Sequence, residues 1–107
     1  MIKREMRMGR KNFYEFEKMM NDKSVSKEQK ILAEMVYTLL NKRLEKKISQ
    51  DEMVERSGLS KSMISKIENF NANPSALTLV KYANVLGVEP VFVDATTLRA
   101  VQKKRGN

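Results

Sequence analysis

Residues 49–69 read SQDEMVERSGLSKSMISKIEN, and this stretch predicts two short helices joined by a tight turn. Ser49 and Glu52 form a capping-box pattern, in which each side chain satisfies a backbone amide at the start of a helix. Gly58 predicts the end of that helix, because glycine adopts the left-handed backbone of a helix C-terminus without a steric clash. Ser60 is a second N-cap, so another helix is expected to follow it to the end of the stretch.

The second of these helices, expected from Lys61 to about Asn69, divides into two faces when its residues are spaced by about 100°. The outer face consists of Lys61, Ser62, Ser65, Lys66 and Asn69. The opposite face consists of Met63, Ile64, Ile67 and Phe70. Lysine, serine and asparagine can all bond base edges, so the outer face suits the major groove of DNA. An ordinary amphipathic surface helix has a similar pattern; the tight turn, the double capping and the small serines favour DNA.

The chain from residue 31 to residue 88 resembles the helix-turn-helix domain of the phage Cro/C1-repressor type, also called the Xre family. The matching segment is LLNKRLEKKISQDEMVERSGLSKSMISKIENFNANPSALTLVKYANVLGV, with its ISQ start, G-L-S turn, I-S-K-I-E ending, later N-P-S and closing A-N-V-L-G-V. The resemblance implies an all-α fold, a compact helix-turn-helix bundle similar to that of lambda repressor. To this bundle the chain adds an N-terminal helix and a short C-terminal β-strand.

The resemblance also implies roles for individual residues. The positions that contact bases correspond to Lys61, Ser62 and Lys66. The positions that hold DNA phosphates correspond to Gln50, Ser60, Asn69, Asn71 and Asn73, and Gln50 would also brace the recognition helix. Arg43 and Glu68 correspond to a structural ion pair between the first helix of the domain and the end of the recognition helix. Val54 stands where the family usually has alanine, which leaves the angle between the two helices open.

The composition removes several chemical functions. The chain of 107 residues has no cysteine and no histidine, which excludes disulfides, the common zinc sites and the Ser-His and Cys-His nucleophiles. The nearest carboxylate pairs, Asp51/Glu52 and Glu15/Glu17, do not face one site at these helical spacings. We therefore expect no enzyme, no catalytic residue, no metal and no cofactor. Nothing resembles a membrane span or a secretory signal, and the lack of cysteine suits a reducing cytosol, so we expect a cytoplasmic protein without a membrane partner.

The net charge of +8 lies at the two ends of the chain. Residues 1–30 contain nine basic and five acidic residues, residues 31–94 contain eight of each, and residues 95–107 contain four basic and no acidic residues. Basic ends are compatible with an anionic membrane or with plain solubility, but beside a helix-turn-helix they favour contacts with DNA phosphates. We divide the chain into a basic arm with a short aromatic helix (1–25), a DNA-binding domain (26–88), and a short strand with a basic tail (89–107).

The segments before the motif leave alternatives open. Residues 1–11 (MIKREMRMGRK) are an arm that follows DNA, a segment that binds a partner, or a segment without fixed structure. Residues 12–20 (NFYEFEKMM) predict a short helix with Asn12 as its cap. Its apolar face consists of Phe13, Phe16 and Met20, and this face either packs on the domain or binds a second protein. Ser26 and Gln29 predict the start of a long helix that ends at about Lys46.

After the recognition helix, residues 71–74 predict a loop and Ser75 caps a last helix, which Gly87 ends. Its core-facing stripe consists of Ala76, Leu79, Ala83 and Leu86. A second apolar strip, Leu77, Val80 and Val85, is either a wider core or a dimer interface. Residues 90–94 (PVFVD) predict a strand, for which we favour a partner strand in another molecule. The tail from Ala95 onward predicts a weak helix with a disordered basic end.

These patterns together predict a sequence-specific DNA-binding regulator of transcription. By resemblance it is a repressor that binds double-stranded DNA as a homodimer at a palindromic operator. The alternative is an antitoxin of a toxin–antitoxin pair, which binds and neutralises a small toxin protein and represses its own operon. The aromatic N-terminal helix and the predicted VFV strand are compatible with this alternative.

Overall fold

The computed structural model describes residues 10–98, which form five helices. These are α1 (Arg10–Asn21), α2 (Lys27–Glu45), α3 (Gln50–Ser57), α4 (Lys61–Glu68) and α5 (Ala76–Val85). One more helical turn covers residues 95–98. The predicted all-α bundle is therefore confirmed. The interpretations of residues 1–9 and of the basic end of the tail lie outside the described residues.

Four of the helices begin at a serine cap. The N-caps of α2 to α5 are Ser26, Ser49, Ser60 and Ser75, and each hydroxyl accepts a hydrogen bond from the amide three residues later. At Ser49 the reciprocal bond is also present, because its amide donates to Glu52 Oε1 over 3.1 Å. Each such cap stabilises its helix by about 1 kcal/mol. The predicted starts of these helices are confirmed. They could be predicted because each start depends on side chains within a few residues.

The first helix differs from the prediction at Asn12. This residue lies within α1 and does not cap it. Its side-chain amide instead donates to the carbonyl oxygen of Glu68 over 2.6 Å and to Asn69 Oδ1 over 3.1 Å. The predicted cap was wrong because the partners of Asn12 lie far along the chain, at the end of α4, where local sequence does not reveal them.

The apolar face of α1 packs on the domain. Its members Phe13, Phe16, Met19 and Met20 lie against the buried residues of α2 and α4. The Phe16 ring stacks on Tyr37 with 4.3 Å between the centroids and lies 5.4 Å from the ring of Phe70. Such aromatic pairs add to the free energy gained from burying apolar area. Of the two interpretations of this face, packing on the domain is the one observed.

The core consists of two clusters that meet at α4. The first cluster contains Ala33, Val36, Tyr37, Leu40, Ile67, Phe70 and Leu79. The second contains Ile48, Met53, Ile64, Tyr82, Val85 and Leu86, with Val54 and Leu59 packed against it. Because Ile67 belongs to the first cluster and Ile64 to the second, α4 is held from both sides. Its outer face is consequently fixed in direction.

A left-handed residue other than glycine ends α4. Phe70 has φ 59°, its amide donates to the Ile67 carbonyl over 3.0 Å, and the Asn71 amide donates to the Lys66 carbonyl over 2.8 Å. This Schellman arrangement normally uses glycine, and a left-handed backbone costs a larger residue about 1–2 kcal/mol. Burial of the Phe70 ring next to Phe16 offsets that cost. The added helix α1 thus supports the end of α4.

The last helix agrees with the prediction only in part. Leu79, Ala83 and Leu86 are buried as expected, and Val85 also belongs to the core. Ala76 is exposed, so its assignment to the core stripe was wrong; it is the first residue of the helix, directly after the Ser75 cap. The exposed part of the second strip is Leu77 at 64% and Val80 at 45%.

The predicted C-terminal strand is absent from the described chain. Residues 91–94 adopt no regular structure, and Val91, Phe92 and Val93 are exposed. The single chain does not form the strand, because β-propensity alone does not form a strand when no neighbouring strand pairs with its amides and carbonyls. Pairing with a second molecule stays a prediction.

A buried ion pair connects three helices. Arg43 of α2 donates through Nε to Glu68 Oε2 of α4 over 2.7 Å and through its Nη2 atom to Oε1 over 2.8 Å. The Tyr82 hydroxyl of α5 donates to Glu68 Oε2 over 2.6 Å. Burial alone would lower the pKa of Arg43, but its bonds to Glu68 and the charge of that carboxylate raise it. Burial raises the pKa of Tyr82, and the Glu68 charge raises it further.

Glu68→Gln is expected to destabilise the fold, because it leaves the buried Arg43 guanidinium without a counter-charge. Removing one partner of such a pair costs about 3–5 kcal/mol in the free energy of unfolding. Urea unfolding followed by circular dichroism measures the change. Glu55→Gln removes the same charge from the exposed surface of α3 and is expected to shift the free energy by less than about 0.5 kcal/mol. Equal stabilities of the two variants would contradict a structural role for the buried pair.

The raised pKa of Tyr82 predicts a loss of stability in alkali. In the unfolded chain this hydroxyl loses its proton near pH 10, whereas in the folded chain it keeps the proton to higher pH. The unfolded state therefore gains relative stability above about pH 10, at about 1.4 kcal/mol per pH unit. We expect Tyr82→Phe to be less stable than the wild type at neutral pH, because it lacks the bond to Glu68.

Urea unfolding from about pH 8 to pH 11 compares the wild type with Tyr82→Phe. The stability difference between the two proteins should shrink as the pH rises past about 10. A constant difference across this range would show that Tyr82 does not titrate differently in the two states.

Candidate nucleic-acid interface

The outer face of α4 presents polar side chains in one row. Lys61, Ser62 and Lys66, the candidate base contacts, are all exposed. On the opposite face Ile64 is 0% and Ile67 is 2% exposed, so neither can turn outward. The division into a packed face and a polar face was predicted correctly. The structure brings the three candidate side chains together on one helix surface.

The start of α4 is set by the turn and the cap before it. Gly58 ends α3 with φ 78°, a backbone that suits glycine, and its amide donates to the Val54 carbonyl. Ser60 then accepts from the Met63 amide over 3.0 Å. The hydroxyl oxygen of Ser60 therefore already serves the helix, and its proton is the group that could donate to a phosphate. Contact between Ser60 and phosphate stays a prediction.

Gln50, a predicted phosphate contact, lies at the start of α3 and is half-buried. Its side-chain amide donates to Glu68 Oε1 over 3.0 Å. The bond joins the first residue of α3 to the last residue of α4, which is the bracing role that the resemblance implied. Because Glu68 is itself held by Arg43 and Tyr82, the position of the Gln50 amide is fixed by the buried ion pair.

The three asparagines near the end of α4 differ in their surroundings. Asn69 donates to the Ser65 carbonyl over 2.9 Å, and its Oδ1 accepts from Asn12. Asn71 and Asn73 lie exposed in the loop that follows. Asn69 is thus already bonded within the protein, whereas the two loop residues face solvent. Their contacts with phosphate stay predictions.

Asn12 is a part of this surface that the sequence did not indicate. Its partner Asn69 directly follows the last residue of α4, on the same side of the helix as the polar face. The first turn of α1 is therefore adjacent to the candidate interface. The basic residues of the N-terminal segment, Lys3, Arg4, Arg7, Arg10 and Lys11, precede this point in the chain. No local pattern could have revealed this, because Asn12 is 57 residues from Asn69.

An exposed ion pair at the other end of α4 was also missed. Lys61 Nζ lies 2.8 Å from Asp51 Oδ1, and the two side chains are 61% and 81% exposed. From the sequence Asp51 was considered only together with Glu52, as a carboxylate pair at a helix start. The signal that could have revealed the contact is the opposite charge in the first turns of α3 and α4, which the tight turn brings together.

None of the helices in residues 10–98 combines the length and the apolar composition needed to cross a membrane.

Residues 39–93 match the helix-turn-helix family, and this segment contains α3, α4 and α5. The chain is also 41% identical over 49 residues to a protein of Sinorhizobium fredii named as an uncharacterized HTH-type transcriptional regulator, y4dJ. The matched part covers 46% of this chain and 64% of that relative, which is less than two thirds of its length. No solved structure matches the chain. With the family match covering half of the chain and the motif formed by α3 and α4, the chain belongs to the helix-turn-helix family of DNA-binding domains, of the Cro/C1-repressor type.

Proposed function

We propose that this protein is a sequence-specific regulator of transcription, a repressor that binds a palindromic operator as a homodimer and has no catalytic activity. The observation that carries the proposal is the outer face of α4. It presents Lys61, Ser62 and Lys66 to solvent while Ile64 and Ile67 anchor the helix in both core clusters. A rigid helix with exposed donors is what reading base edges in a major groove requires.

Each of the three side chains suits a base edge. Lys61 and Lys66 can donate to the O6 and N7 atoms of guanine, and Ser62 can donate or accept. Gln50, Ser60, Asn69, Asn71 and Asn73 would hold the phosphates that flank the groove. Phosphate contacts fix the orientation of the protein on the duplex, while the base contacts select the sequence.

The homodimer follows from the proposed operator and from an exposed apolar surface. Two copies bound to a palindrome place their recognition helices about 34 Å apart, one turn of DNA. Leu77 and Val80 of α5 are exposed, as are residues 91–93. A small domain rarely leaves this many large apolar side chains uncovered. A second copy of the chain would bury them.

An antitoxin is the second candidate function. It would keep the same DNA contacts and add a surface that covers a small toxin protein. The exposed residues 91–93, with Phe92 fully exposed, favour it, because an extended apolar segment can add to the sheet edge of a partner. The aromatic face of α1 no longer supports it, since Phe13 and Phe16 pack on the domain. A protein that purifies alone, and whose gene neighbours no toxin-like gene, would count strongly against this function.

Fluorescence anisotropy tests the regulator proposal directly. DNA from the region upstream of the gene and a scrambled duplex of the same length are titrated with protein at two salt concentrations. We expect tighter binding to the upstream DNA at both, and a stoichiometry of two chains per operator. Equal affinities that fall together with salt would contradict the proposal and leave a non-specific binder.

Lys61→Ala is expected to relax the preference at one base position, because a lysine donor to that base is lost. The cost on the preferred sequence is about 1–3 kcal/mol, with a smaller cost on sequences changed at that position. Lys27→Ala is the matched control, since Lys27 is exposed at the start of α2 and the substitution changes the charge equally. Anisotropy on a set of operators with single base-pair changes measures both variants. A uniform loss on every sequence would contradict base contact by Lys61.

A further inference from the structure

The ion pair between Asp51 and Lys61 lies within the candidate interface. Lys61 is the first residue of α4 and a candidate base contact, and Asp51 follows Gln50, a candidate phosphate contact. The Nζ–Oδ1 distance is 2.8 Å, and both side chains are more than half exposed. Any DNA that reaches Lys61 therefore also meets the carboxylate of Asp51.

Asp51 is not needed to cap α3. Ser49 accepts from the Glu52 amide and donates its own amide to the Glu52 side chain, so both bonds of the capping box are already made. A second acidic residue in the first turn adds only a modest electrostatic effect at an exposed helix start. A negative charge here is also unfavourable for a surface that approaches phosphates. Helix capping therefore does not explain why Asp51 places a carboxylate next to Lys61.

We propose that Asp51 is a positioning residue that sets the specificity of DNA binding by acting as the internal counter-ion of Lys61. The inference rests on the proposed function, since it concerns the same surface of α4. In the absence of a matching sequence, the Asp51 carboxylate competes with DNA phosphates for the Lys61 ammonium group. Asp51 thereby weakens non-specific binding more than it weakens binding to the operator.

The hydrogen-bonding capacity of lysine explains the difference. An ammonium group has three N–H donors, and Asp51 takes one of them. The remaining two can reach the O6 and N7 atoms of a guanine, which are neutral acceptors, while the ion pair stays intact. A phosphate is an anion that must draw the same ammonium away, and it is repelled by the Asp51 carboxylate. The cost therefore falls on complexes in which Lys61 has only phosphates to contact.

The test compares Asp51→Asn with the wild type on random-sequence DNA and on DNA from the upstream region. Because exposed ion pairs are weak, we expect Asp51→Asn to bind random DNA up to about fivefold more tightly at low salt. Its affinity for the upstream DNA should change by less than about twofold, so selectivity falls. On random DNA, the plot of log affinity against log salt should become steeper by about 0.9, as expected for one more phosphate contact.

Two comparisons separate the ion pair from a general effect of charge. Glu55→Gln removes one negative charge from an exposed position of α3, one turn from Asp51, and should leave the selectivity unchanged. In a Lys61→Gln background, Asp51→Asn should no longer alter binding to random DNA, because the cation that it releases is gone. Equal effects of Glu55→Gln and Asp51→Asn, or the same effect of Asp51→Asn in both backgrounds, would overturn the inference.

The outcome also separates this inference from the proposed function. If the wild type shows no selectivity, the proposed function fails and the inference fails with it. If the wild type is selective and Asp51→Asn binds both DNAs like the wild type, the inference alone is wrong. Circular dichroism confirms that each variant is folded before binding is measured, and the exposure of Asp51 and Glu55 makes loss of the fold an unexpected result.

Discussion

The buried carboxylate of Glu68 accepts hydrogen bonds from three helices: from Arg43 of α2, from Gln50 of α3 and from Tyr82 of α5. Removing such a charge from water is costly, and the attraction between Arg43 and Glu68 need not exceed that cost. What the bonds supply is geometry, because each helix must hold its donor within reach of the same two oxygens. The outer face of α4 is therefore set by the helices behind it.

The end of α4 receives further support from a helix outside the motif. Asn12 of α1 donates to the Glu68 carbonyl, and Phe16 packs against Phe70 at the left-handed residue that follows. The start of α4 is different: Ser60 caps it, and Lys61 meets Asp51 on the open surface. The recognition helix is thus buried and braced at one end and exposed at the other. Lys61 lies at the exposed end, where its side chain is accessible to partners other than Asp51.

Features that depend on interactions between neighbouring residues could be predicted from the sequence, whereas features that depend on distant residues could not. Ser49, Ser60 and Gly58 set the helix boundaries through atoms within a few residues, so their effects could be read directly from the chain. Asn12 looked like a cap because it precedes an amphipathic run of residues. The acceptors that it contacts are more than fifty residues away, so the local sequence does not reveal them. The strand at residues 90–94 was predicted from propensity, but a strand also needs a neighbour, which the described chain does not provide. The Arg43–Glu68 pair, although 25 residues apart, was reached through the resemblance to a family and not through local pattern.

The two lysines on the α4 surface differ in their surroundings. Two ion pairs are described, Arg43 with Glu68 and Lys61 with Asp51, and Lys66 belongs to neither of them. On the proposed function Lys66 is therefore available to phosphates and bases alike, whereas the charge of Lys61 is already balanced by Asp51. Residues 31–94 carry no net charge, so the excess positive charge that would attract DNA phosphates on the proposed function lies in the two ends of the chain. On the proposed mechanism the basic ends and Lys66 attract the protein to any duplex. Lys61, whose charge Asp51 balances, adds a contact only where a base presents acceptor atoms within its reach.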